Sequence, residues 1–151
     1  MTADPTDALK ALARAQGYDL FVLPFEGDVG GMAWCGDDGV PHIEMYGVPG
    51  SPEWAHVLAH EIGHHALGHT ATWTSAPTWQ REYEAERYAL DVLSRFCDED
   101  VFWIQEQQAK EYVRAAIQCF LENEITQHGE IDAGVWAGCE ISLDEVLADV
   151  G

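Results

Sequence analysis

The sequence predicts an α+β fold in which a small antiparallel sheet of about three strands packs on a mainly helical domain. Three observations lead there. Residues 18 to 47 alternate strand-like runs with Gly/Asp turns, and the segments on either side carry apolar residues at helical spacing. The hydrophobic fraction is 47% and there are six tryptophans, enough apolar surface to build a core in spite of the heavy charge. At 151 residues the chain is expected to form a single domain.

The elements follow in order. Asp4 and Pro5 open a short helix with Ala8, Leu9, Leu12 and Ala13 on its apolar side, and Gly17 stops it. "YDLFVLPF" and "GMAWCG" are strand-like, and "GDDG" supplies hairpin turn chemistry ahead of the alternating "VPHIEMYG". Ser51 as N-cap and Pro52 at the first helical position then open a helix with Trp54, Val57, Leu58 and Ile62 at helical spacing, ended by Gly68. "PTWQREYEAERYALDVLSRF" predicts a further helix with Trp79, Tyr83, Tyr88, Leu90 and Leu93 as packing residues. Asp98 caps a long helix over 99–127, stopped by Gly129, and Ser142 with Glu145 has capping-box spacing for a last short one.

Charge excludes some function classes. Seven Lys+Arg against 27 Asp+Glu give a net charge of -20, which repels nucleic-acid phosphates and anionic membrane surfaces. Direct nucleic-acid or membrane binding is therefore not expected. The cysteines Cys35, Cys97, Cys119 and Cys139 form no C-x-x-C pair and read as free, mostly buried thiols. The N-terminus has no basic region followed by an apolar run, and nowhere does the chain approach ~18 uninterrupted apolar residues. A cytoplasmic location is the expectation.

The chemistry is concentrated in "EWAHVLAHEIGHHALGH", residues 53–69, which holds five histidines. His60 and His64 are four apart, so on a helix they stand one turn apart on one face and can direct ring nitrogens at a single ion. With Glu61 beside them, "HEIGH" matches H-E-x-x-H, in which two imidazoles bind Zn²⁺ and a neighbouring carboxylate stands close to the metal-bound water. A catalytic site needs a third protein ligand and an open fourth position. Leu67 and Thr70 stand where a metzincin needs Gly and His, which excludes that class. The remaining candidates are His69 nearby and the glutamates of the next helix, where Glu82 and Glu86 share a face. His65 points about 100° away from the ligand face. With His56 and His69 it reads as a polar supporting or surface residue.

"HEIGHHALGH" followed by "EYEAERYA" resembles the ImmA/IrrE family of zinc metallopeptidases, whose second motif runs E-x-E-A-N-x-F-A. The resemblance covers about residues 5–95, leaving a helical extension over about 98–151. It implies a zincin-like fold with Glu82 as the third ligand, Ala85 as a small packing residue and Tyr88-Ala89 as the aromatic-small pair. Glu86 stands where the family has Asn; it either orients a ligand histidine or competes with Glu82.

The implied activity is a zinc-dependent endopeptidase in which Glu61 takes the proton of the zinc-bound water and returns it to the leaving amine. Tyr83, Tyr88 and His128 are candidate oxyanion donors, and the strand "VPHIEMY" is a candidate for pairing with an extended substrate. Members of the family act on helix-turn-helix repressors, and a basic DNA-binding protein would suit an acidic enzyme as substrate. Two alternatives stand beside this one: a zincin-like binding or sensing module without proteolysis, and a zinc hydrolase acting on a non-peptide bond.

Overall fold

A computed structural model describes residues 5–70 and 78–96, together with Gln107. Among these residues it contains three helices, α1 (Pro5–Ala15), α2 (Pro52–Ala66) and α3 (Thr78–Phe96), and three strands, β1 (Asp19–Leu23), β2 (Gly30–Cys35) and β3 (Pro41–Tyr46). The fold is α+β. Apart from Gln107, the expected helices over 99–127 and from Ser142 lie outside the described residues, as do His128, Cys97, Cys119 and Cys139.

Local signals set the helix ends. The Ser51 hydroxyl accepts the amide hydrogen of Trp54 at 3.1 Å, with Pro52 at the first position, where a missing N–H costs nothing. Both α1 and α2 close with a paired hydrogen-bond motif around a glycine. Gly17 N–H donates to Arg14 and Tyr18 N–H to Ala13; in the same register Gly68 N–H donates to His65 and His69 N–H to His64. The glycines sit at φ 83° and 76°, a left-handed conformation that a Cβ would strain.

The sheet corrects the expectation of a purely antiparallel arrangement. Its order is β1-β3-β2, with β2 antiparallel to β3 but β1 parallel to it. The predicted hairpin is present: the Asp38 carboxylate accepts from Val40 N–H at 3.0 Å in the turn, and Gly36 and Val40 pair at 2.9 Å. β1 does not extend that meander. Residues 24–29 step across the end of β3 instead, a gap of roughly 10 Å, or two strand spacings, that six residues easily bridge. The most deeply buried strand takes the centre: Ile43 and Met45 of β3 are fully buried, whereas neither edge strand contains a buried residue.

α2 is the hub. It contacts α1, α3, β2 and β3, and every residue from Trp54 to Gly63 except Val57 is buried. Leu58, Ala59 and Ile62 join Leu9, Ile43, Met45, Ala89, Val92 and Leu93 in one core. Two close approaches fix α2 against its neighbours. A Cβ on Gly63 would lie 3.0 Å from Tyr88 Cδ1 and 3.2 Å from the Ala85 carbonyl oxygen, so the glycine lets α3 approach α2. On the other side, a Cβ on Gly31 would meet Met45 Sδ at 2.8 Å and both Glu61 and Val57 at 3.0 Å. Glu61 is thereby pinned beneath β2. Cys35 is exposed at the end of β2, contrary to the buried thiol expected there, because it lies on an edge strand.

Candidate metal centre

Two histidines one turn apart on α2 meet a glutamate near the start of α3. His60 Nε2 lies 3.0 Å from His64 Nε2 and 3.0 Å from Glu82 Oε2, and His64 Nε2 lies 3.5 Å from Glu82 Oε1. Ligand atoms on a tetrahedron with bonds of ~2.0–2.1 Å stand roughly 3.3 Å apart, so this spacing suits one small ion. The three residues offer ligand atoms all within 4.8 Å of one another and could hold a metal ion. Two imidazoles and one carboxylate leave a fourth position free in a tetrahedral site, and the donor set is one that zinc accepts.

Each of the two rings is held from behind. Glu86 accepts from His60 Nδ1–H at 2.6 Å through one oxygen and from His56 Nε2–H at 2.8 Å through the other. With Nδ1 of His60 occupied as a donor, the lone pair of its neutral form is on Nε2, toward His64 and Glu82. Of the two roles left open for Glu86, the geometry has it orient a histidine, with its carboxylate buried behind the ring. His69 contacts His64 on that ring's Nδ1 at 3.0 Å, the side away from Glu82, and in turn meets Glu84 at 2.7 Å. His65 spans Thr70 Oγ1 at 2.8 Å and the His42 carbonyl at 2.7 Å, tying α2 to β3. His56 and His69 are buried rather than on the surface.

Electrostatics follow from this crowding. Burial lowers the affinity of His60 for a proton, but hydrogen bonds to Glu82 and Glu86 outweigh it and bring the pKa up to about 10. Burial pushes Glu82 up, yet the hydrogen bonds from His60 and His64 hold it well below the usual carboxylate range. Glu86 is likewise lowered: burial opposes its ionisation, and the bonds from His56 and His60 prevail. Glu82 and Glu86 together therefore favour the protonated form of His60 in the metal-free chain. Glu61 goes the other way, since its burial raises the pKa more than His60 and His64 lower it.

The cluster opens on a cavity of about 540 Å³ lined by His60, Glu61, His64, Glu82, Arg81 and the length of β2 from Gly31 to Cys35. Another, of about 500 Å³, lies on the far side of Glu61 and reaches His56 and Glu86. The expectation that "VPHIEMY" pairs with substrate does not hold: β3 is central and hydrogen-bonded on both sides, and the strand facing the cavity is β2. Neither Tyr83 nor Tyr88 lines either cavity; Tyr83 is buried and Tyr88 packs on Gly63. Arg81 does line the larger one, and sequence reasoning missed it because one arginine on a charged helix carries no pattern.

No family model, curated protein or solved structure matches this chain.

Proposed function

We propose that the chain is a zinc-dependent endopeptidase with His60, His64 and Glu82 as ligands and Glu61 as the general base. The observation that carries this proposal is the convergence of three ligand atoms, spaced as a tetrahedral ion requires, in a cavity that Glu61 also lines. The resemblance of "HEIGHHALGH" and "EYEAERYA" to the two motifs of the ImmA/IrrE family points the same way.

Zinc bound there would polarise a peptide carbonyl and lower the pKa of a bound water toward ~7. Glu61 would serve as the general base, its carboxylate taking a proton from water and passing it to the departing amine; its raised pKa moves it closer to the working range of that role. Among the described residues lining the cavity, only Arg81 carries a permanent positive charge, which suits it to face the negative charge that develops on the carbonyl oxygen. Among the described residues β2 pairs only with β3, and its other edge is the one we assign to an extended substrate backbone. A basic DNA-binding repressor is the substrate class proposed, because a chain of net charge -20 attracts it. The chain is proposed to work in the cytoplasm; among the described residues no helix is long and apolar enough to cross a membrane.

The test is incubation of the zinc-loaded chain with basic helix-turn-helix repressors, run in parallel with Glu61→Gln. The parent cuts a repressor, and the variant loses ~10²–10⁴-fold in rate while retaining zinc. A zinc-loaded parent that cuts nothing would favour the binding or sensing module instead, and cleavage of a non-peptide ester with no peptide cleavage would favour the other hydrolase.

A further inference from the structure

The end of α2 is itself part of the metal-binding cluster. The closing motif around Gly68 sends the His69 N–H back to the His64 carbonyl at 2.8 Å, which lays residue 69 over residue 64. In this motif the contact between those two positions is usually apolar. Here two imidazoles make it, edge to face, with ring centroids 5.2 Å apart.

The hydrogen bonds assign every proton along the row. Glu84 Oε2 can only accept, so His69 Nε2 carries the hydrogen at 2.7 Å. In a neutral ring that leaves His69 Nδ1 as an acceptor, and its partner at 3.0 Å is His64 Nδ1, which must therefore donate. His64 is then left with its lone pair on Nε2, the nitrogen that faces His60 and Glu82. We infer that His69, held by Glu84, is a positioning residue that fixes the tautomer and ring orientation of His64 for metal binding. This rests on the zinc assignment above. It adds a second support, independent of Glu86, in which an imidazole relays the pull of a carboxylate to the ligand.

The experiment compares zinc affinity, by chelator competition, for the full-length parent and three variants. His69→Phe keeps a ring of similar size but has no acceptor, and its affinity falls ~10–100-fold. His69→Asn puts an amide oxygen near the position of Nδ1 and recovers most of that loss. Glu84→Ala acts from the partly buried far end of the row and also weakens binding, which keeps the test open should His69→Phe fail to fold. Nitrogen-15 spectra of the zinc-loaded parent show His64 protonated at Nδ1 and metal-bound through Nε2. Parent-like affinity in His69→Phe or Glu84→Ala, equal losses in His69→Phe and His69→Asn, or coordination of His64 through Nδ1 would each overturn the role given to His69 while leaving the zinc assignment intact. A parent chain that binds no zinc overturns both.

Discussion

Glu86 sits behind His60 and takes the hydrogen of its Nδ1 at 2.6 Å, so that the opposite nitrogen of the ring faces Glu82 at 3.0 Å. A carboxylate in this position raises the basicity of a ligand histidine and fixes its orientation. Glu86→Ala removes that support and also leaves His56 without its buried carboxylate partner. Zinc affinity is expected to fall ~10–100-fold, measured by chelator competition. Glu86→Asn, the residue of the resembled family at this place, should lose less than Ala because an amide oxygen can still accept. Equal affinity in the parent and in Glu86→Ala would show that the contact does not support the ligand.

The metal-free chain should lose stability at alkaline pH. His60 is raised from 6.5 to about 10 on folding, so its contribution is complete below about 6.5 and disappears as pH rises through about 10. Glu82 and Glu86 are lowered from 4.5, so theirs is complete above that value and disappears as pH falls. Chemical denaturation of the metal-free protein is therefore expected to give a higher midpoint at pH 6 than at pH 9. Zinc must displace the proton on His60, so its binding at pH 7 releases about one proton and tightens as pH rises. A midpoint independent of pH between 6 and 9, or zinc binding without proton release, would contradict a proton held on His60.

Gly63→Ala pits two effects against each other. In an open helix the alanine would stabilise by ~1 kcal/mol. Here the new methyl group meets Tyr88 and the Ala85 carbonyl oxygen, and overpacking of a core contact costs ~1–3 kcal/mol. The backbone oxygen cannot turn aside, so the clash should prevail and α3 should move away from α2, carrying Glu82 with it. Thermal denaturation is expected to show a net loss of about 1 kcal/mol, and chelator competition a weaker zinc site. A variant more stable than the parent would mean that the interface has room to spare.

Much of this was legible because it is local. That His60 and His64 share a face follows from helical periodicity alone, and Ser51, Gly17 and Gly68 mark helix ends through their own side chains or the lack of one. The 36–40 hairpin was equally readable from Gly and Asp. Beyond that range the signals fail. Nothing in residues 24–29 announces that the chain will step over β3, so the parallel pairing of β1 with β3 was not foreseen. Helical spacing puts Glu82 and Glu86 on one face but does not say which partners they or Glu84 meet. Only the docking of α3 on α2 gives them different partners: His60 and His64 for Glu82, His69 for Glu84, and His56 with His60 for Glu86. That docking depends on Gly63 and Ala85, small residues with no chemistry of their own.

The most direct test is a zinc titration of the metal-free chain beside its Glu82→Ala variant, followed by calorimetry at neutral pH. The parent is expected to bind one zinc per chain, and the variant to bind at least ~100-fold more weakly, since it has lost one of three protein ligands. A parent that takes up no zinc, or a variant that binds it as tightly as the parent, would contradict a centre built from His60, His64 and Glu82.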